Sequence, residues 1–136
     1  MAQVVIVDDD PSIEFMLGDI FKYLGHKVYT FTNPKRALAF ILERHWENPI
    51  DLLVTDVVMP EMNGSELIER IYEDLKDLSF PILIISGEIK EVDIQKWLAF
   101  PNIHFMPKPI RFAALSKFLD SCLPSASEER FSRSDM

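Results

Sequence analysis

Four groups of polar residues each follow directly on a run of apolar ones. "VVIV" (4–7) runs into Asp8, Asp9 and Asp10, and "DLLVTD" (51–56) ends on Asp56. "PILIIS" (81–86) ends on Ser86 with Gly87 behind it, and "NIHFMP" (102–107) is followed by Lys108 and Pro109. Crowded carboxylates repel one another. They are hard oxygen ligands, and a site of a few carboxylates and several waters suits Mg²⁺. An ammonium such as Lys108 would offset more of the negative charge. A carboxylate held beside a metal and a lysine can act as a nucleophile toward a phosphoryl group. The Ser86 hydroxyl could then donate a hydrogen bond to a transferring oxygen. Taken alone, the three aspartates read equally well as a solvated turn that caps a helix, because Asp favours caps and first turns. What decides is whether a fold brings the four groups together.

The elements that would do so are legible. The four runs are apolar without alternation, as expected of strands buried on both faces of a parallel sheet. A fifth and weaker run is "HKVYTF" (26–31). Helical patterns lie between them. Ile13, Leu17, Ile20 and Leu24 share one face, with Gly25 as a stop signal. Over 33–46, Asn33 is the expected cap and Pro34 the first helical residue, with Ala37, Leu38, Ile41 and Leu42 on the apolar face. Residues 65–78 repeat the pattern with Leu67, Ile68, Ile71 and Leu75. A shorter helix over 88–100 carries Ile94, Trp97 and Leu98, and one over 111–123 carries Phe112, Leu115, Leu119 and Cys122. Five alternations of strand and helix predict a doubly wound α/β domain with a parallel five-stranded sheet. In such sheets ligands bind beyond the carboxyl ends of the strands, where the strand order reverses. Asp8–Asp10, Asp56, Ser86 and Lys108 all follow strand ends and would meet on that rim.

The chain has 136 residues, a length that predicts one domain with a real core. Residues 1–123 make that domain. The polar, Ser-rich stretch 124–136 reads as a flexible tail or the start of a linker. A formal charge of −8 argues against general nucleic-acid or anionic-membrane binding. Cys122 is the single cysteine, so no internal disulfide can form and a reducing, cytoplasmic setting is expected. The start of the chain carries no signal-peptide pattern, and no stretch approaches the roughly 20 apolar residues of a membrane span.

Together, "VDDD" (7–10), "DLLVTDVVMPEMNG" (51–64), "ILIISG" (82–87) and "KP" (108–109) resemble the receiver (response-regulator) domains of two-component signalling, CheY-like in type, across about residues 3 to 122. The intervals of 30 residues from Asp56 to Ser86 and 52 to Lys108 suit that family. The resemblance implies a (βα)5 flavodoxin-like sandwich. It implies that Asp56 accepts a phosphoryl group from a phosphohistidine on a sensor histidine kinase or histidine phosphotransfer protein. Asp8, Asp9 and Asp56 would hold Mg²⁺ with the main-chain carbonyl of Val58, Asp9 being the more direct ligand of the two leading acids. Ser86 and Lys108 would contact the phosphoryl oxygens. Phe105 stands at the family's switch-aromatic position, and Pro109 is expected to follow a cis peptide. Asp10 is left as extra acidity and a helix cap. The signalling face would combine the helix over 88–100, the strand over 102–107 and the helix over 111–123, with Lys90, Trp97, Phe105, Arg111 and Lys117 on it. It would bind a partner or a second copy of the chain. Such a domain is not an enzyme with an external product. It catalyses its own phosphorylation and hydrolysis.

Other readings stand beside this one. "D-x-D" after a first strand also resembles the haloacid dehalogenase phosphohydrolases, which need a longer chain and further acids after a later strand. A degenerate receiver would bind partners without phosphorylation. Phe105 serves equally as plain core. His26, His45 and His104 show no metal-ligand spacing and read as surface or half-buried residues, and Cys122 as inert core. Pro107, lacking an N–H, is expected to end strand pairing and stiffen the approach to Lys108. Gly87 leaves space beside Ser86. Val58 offers no polar group to orient a water, which predicts slow loss of a phosphoryl group from Asp56.

Overall fold

The computed structural model describes residues 2–76, 80–87, 97, 100 and 102–123. In chain order these form β1 (Gln3–Val7), α1 (Pro11–Tyr23), β2 (Lys27–Phe31), α2 (Pro34–Arg44), β3 (Leu52–Asp56), α3 (Gly64–Leu75), β4 (Ile82–Ser86), β5 (Ile103–Pro107) and α4 (Phe112–Cys122). The helix expected over 88–100, Lys90 included, lies outside the described residues apart from Trp97, which is buried, and Phe100; so does the tail 124–136.

Helix starts follow capping chemistry. Asp10 Oδ1 accepts from the Ser12 N–H at 3.0 Å and from the Ser12 hydroxyl at 2.7 Å, with Pro11 at the first position of α1. Asn33 Oδ1 accepts from the Lys35 N–H ahead of Pro34, and Asn63 Oδ1 from the Glu66 N–H. Each side chain satisfies an N–H that a helix leaves without a partner. Gly25 ends the first turn region with φ 92°, the left-handed region open to glycine.

The five strands are parallel in the order β2-β1-β3-β4-β5. Alternation along each strand divides the core in two. Val5, Val7, Leu53, Ile82 and Ile84 pack with Ala37 and Ile41 of α2 and Leu67, Ile68 and Ile71 of α3. Val4, Ile6, Leu52, Val54, Leu83 and Ile85 pack on the other face with Leu17 and Phe21 of α1 and Leu115 and Leu119 of α4. The weak run at 26–31 is explained by its place. β2 is an edge strand whose residues are partly exposed.

Three expectations need correcting. Phe112 is not a core residue but 49% exposed; it begins α4 and meets the exposed Tyr23 edge-on. Phe21, absent from the expected face of α1, is fully buried. His26 is buried, with its Nδ1 accepting the Ala2 N–H at 3.2 Å. β5 does end at Pro107, as expected: Ser86 and Pro107 are the last pair in register, and one further bond, from the Lys108 N–H to the Ser86 carbonyl at 2.9 Å, follows it. β5 is the other edge strand, where a missing N–H can face away from the ladder.

The chain steps from β1 outward to β2, then crosses back to place β3 on the other side of β1. The strand order therefore reverses between β1 and β3, and their carboxyl ends bound a crevice. Among the described residues no helix is long and apolar enough to cross a membrane.

Candidate functional site

Asp8 extends β1 by one residue, since its N–H donates to the Phe31 carbonyl at 3.1 Å. Its side chain is buried, and Oδ1 accepts the Asp10 N–H at 2.9 Å. Asp9 is exposed beside it. Asp10 points into α1 as its cap, and its bonds from Ser12 hold its carboxyl below the ordinary value. The triple aspartate thus divides into one cap and two acids turned to the crevice.

Asp56 is the last residue of β3 and is 8% exposed. Its Oδ1 accepts the Val57 N–H at 2.8 Å. The loop behind it returns tightly: the Gly64 N–H donates to the Val57 carbonyl at 2.8 Å. A Cβ at position 64 would run into the Asp56 carbonyl oxygen, so only glycine lets α3 begin this close to the acid. In the sequence Gly64 stands only as the last residue of the motif over 51–64. The signal that could have found more was the Asn-Gly pair at the head of an amphipathic helix, a cap followed by a residue without a side chain.

Lys108 closes the site from β5. Its Nζ lies 3.3 Å from Asp56 Oδ2 and 3.5 Å from Asp8 Oδ2. Burial works against the ammonium, but the Asp56 and Asp8 charges outweigh it and raise its pKa above the ordinary value. Asp8 goes the other way for a carboxylate. Burial first, and then the Asp56 charge, raise its pKa in spite of the Asp10 N–H and Lys108.

One oxygen each from Asp8, Asp9 and Asp56 lies within 4.8 Å of the other two. Lys108 pairs with Asp8 and Asp56, and Asp9 adds a third carboxylate, so the donor set is hard, oxygen-only and left with negative charge. That fits a small divalent cation.

Ser86 is buried at the end of β4 and neighbours the Asp56 end of β3 across the ladder. A Cβ built on Gly87 meets nothing within 4 Å, so the space expected beside Ser86 is there. Val58 is 75% exposed. Phe105 is half-buried and packs on the α2–α3 side of the sheet. The Lys108–Pro109 peptide is cis. Asp8, Asp9, Asp56 and Lys108 are thus brought together, with Ser86 alongside. Phe105 stands apart on the sheet.

Residues 4–120 match the family model described as the response regulator receiver domain. The chain belongs to this family. The receiver is a module of two-component signalling, and its sheet is the CheY-like one. It is similar to response regulator SaeR of Staphylococcus aureus (strain USA300), 29% identical over 109 residues that cover 80% of this chain and 45% of SaeR. The chain spans under half the length of the curated relatives it matches. The chemotaxis protein CheY4 of Vibrio cholerae superposes on the receiver with a TM-score of 0.78 at 28% identity, over 90% of this chain and 99% of that one. The non-phosphorylated HemR receiver domain of Leptospira biflexa superposes with a TM-score of 0.76 at 22% identity, over 90% and 94%, a likeness of fold.

Proposed function

We propose that this receiver accepts a phosphoryl group on Asp56 from a phosphohistidine of a sensor histidine kinase or histidine phosphotransfer protein, with Mg²⁺ as cofactor. The observation that carries the reading is the Lys108 ammonium set between two buried carboxylates, 3.3 Å from Asp56 and 3.5 Å from Asp8, where the strand order reverses. Asp8, Asp9 and Asp56, with the Val58 main-chain carbonyl, would hold the cation, which when bound supplies positive charge to the phosphoryl oxygens.

An oxygen of Asp56 bonds to phosphorus as the phosphorus–nitrogen bond of the donor breaks. The imidazole leaves as a neutral ring when its other nitrogen carries a proton. Lys108 needs no new position to serve: its Nζ already faces Asp56, and a phosphoryl oxygen replaces the carboxylate as its partner. The Ser86 hydroxyl donates to another phosphoryl oxygen.

Drawing in Ser86 moves the end of β4 and carries the end of β5 with it, since the Lys108 N–H is bonded to the Ser86 carbonyl. Phosphorylation thereby biases a two-state rearrangement of the loop after β4 and of the face that includes Phe105, Arg111 and Lys117. A partner, or a second copy in a homodimer, reads that face. The domain acts on no external product. Residues 1–123 form the receiver unit and 124–136 its tail or linker.

The test is intact mass after incubation with acetyl phosphate, with and without Mg²⁺, on native protein and Asp56→Asn. One phosphoryl adduct that needs both Mg²⁺ and Asp56 supports the reading. An adduct retained in Asp56→Asn, or none on either protein, refutes it.

A further inference from the structure

At the end of the sheet opposite Asp56 a groove of about 400 Å³ opens. Ile50, Asp51, Phe80 and Pro81, which lie just before β3 and β4, line it together with Cys122 and Leu123 at the end of α4. Ile50, Phe80 and Leu123 are buried and give it an apolar floor. Asp51 is exposed beside them, and its Oδ2 accepts the Gln3 N–H at 2.7 Å. The carbonyl end of α4 is a second source of negative potential, and α4 has no basic residue in its last turn to offset it. An apolar ring with a cation beside it matches this surface.

We propose that this groove is the docking site of the chain's own segment 124–136, with the Phe131 ring seated over Ile50 and Phe80. The segment lies outside the described residues and follows directly on Leu123, so the residue from which it departs itself lines the groove. Phe131 is the single aromatic of the segment, with Arg130 before it and Arg133 two residues after. Glu128, Glu129 and Asp135 stand on either side of that stretch, so the charge match is local to the two arginines. Phe131 stands eight positions beyond Leu123. Eight residues reach up to about 26 Å when extended, more than a return to an adjoining groove requires. Tethering also gives a local concentration on the order of millimolar, so modest affinity suffices. Arg130 and Arg133 would lie near Asp51 and the carbonyl end of α4, where positive charge is favoured. None of this depends on Asp56 being the phosphoacceptor.

Full burial of a phenylalanine side chain favours the docked state by about ten- to a hundredfold. The open side of the groove and the ordering of the segment offset part of that, so a docked-to-free ratio of about five is expected. Cys122 reports on this ratio. It is the single cysteine, it is half-buried, and it lines the groove, so a docked Phe131 would cover its thiol.

The experiment follows labelling of Cys122 by N-ethylmaleimide, read by intact mass, on the full chain as native protein, Phe131→Ser, Phe131→Leu and Phe15→Ser. Phe15 is 70% exposed on α1 and does not line the groove. Expected is labelling about fivefold faster in Phe131→Ser, a rate near the native one in Phe131→Leu, and no change in Phe15→Ser. A second measurement looks for nuclear Overhauser contacts from the Phe131 ring to Ile50 and Phe80 in native protein, and both are expected. Native and Phe131→Ser rates within about twofold of each other, or a Phe131 ring without contact to either residue, overturn the proposal. Native labelling that slows as protein concentration rises would seat the segment in a second copy, and overturns docking within one chain.

Discussion

Replacing Asp8 by asparagine should make the metal-free protein more stable. The Asp8 side chain is 2% exposed, Lys108 Nζ lies 3.5 Å from its Oδ2, and the acidic oxygens of Asp9 and Asp56 lie within 4.8 Å. At an effective dielectric constant of ~20, the Lys108 attraction is about 5 kcal/mol and the Asp56 repulsion about 3 kcal/mol. The exposed Asp9 adds a smaller repulsion, so the pairwise charges nearly cancel. What remains is the cost of burying the carboxylate, several kcal/mol for an ion before other bonds offset it. The raised pKa of Asp8 points the same way, with burial as its first cause. Asparagine keeps an oxygen for the Asp10 N–H, now accepted at 2.9 Å, and loses the charge. The expected gain is about 1–2 kcal/mol. At about 4 °C per kcal/mol for a domain of this size, Tm should rise by about 4–8 °C in EDTA at neutral pH. The sign follows from linkage. A carboxyl whose folded pKa is raised destabilises the fold increasingly as pH climbs from its unfolded value of about 3.9 to its folded one, and the full penalty is present at neutral pH. The gain should therefore vanish near pH 4. Thermal unfolding followed by circular dichroism reads both limits. A Tm that falls in Asp8→Asn at neutral pH would refute the reasoning, because the Lys108 attraction would then outweigh burial. Added Mg²⁺ should stabilise native protein by about 2.7 kcal/mol at a hundred times its Kd, and Asp8→Asn far less.

Gly64→Ala should cost about 1–3 kcal/mol and slow the labelling of Asp56, because the new Cβ meets the Asp56 carbonyl and backbone must shift. Gly87→Ala, with open space around it, should stay within about 0.5 kcal/mol; urea unfolding compares the two, and equal losses would defeat the argument. Val58→Asn should speed hydrolysis of phospho-Asp56 severalfold by supplying an amide that orients a water, and an unchanged or slower rate in a mass-spectrometric decay course removes that idea. Burial lowers the pKa of His26 against the pull of Asp51. The unfolded chain thus takes up the proton first, and stability should decline as pH falls below about 6.5. His26→Gln should flatten that decline in urea midpoints between pH 5 and 7.5; an undiminished slope would assign it to other groups.

The sheet was readable because β1, β3 and β4 are buried on both faces, and a strand with no solvent side shows as an unbroken apolar run. β2 read weakly for the opposite reason. The caps were readable because Asp10 and Asn33 act on residues two positions ahead. The meeting of Asp8, Asp56 and Lys108 could be foreseen only through the fold, since Lys108 stands 52 residues beyond Asp56. His26 was misread because its burial comes from Ala2 and Phe21, brought close by tertiary packing. Phe112 has the spacing of a core residue but sits at the first turn of α4, short of the sheet. The closeness of Gly64 to Asp56 and the groove over Ile50 and Phe80 depend on how loops return, and periodicity says nothing of that.

The most direct test locates the phosphoryl group. After treatment with acetyl phosphate and Mg²⁺, borohydride reduces an aspartyl phosphate to homoserine, and tandem mass spectrometry of the digest finds the altered residue. The account predicts the change at Asp56 and at no other acid. Homoserine at Asp8, Asp9 or Asp10 would contradict it and make the triple aspartate the nucleophile.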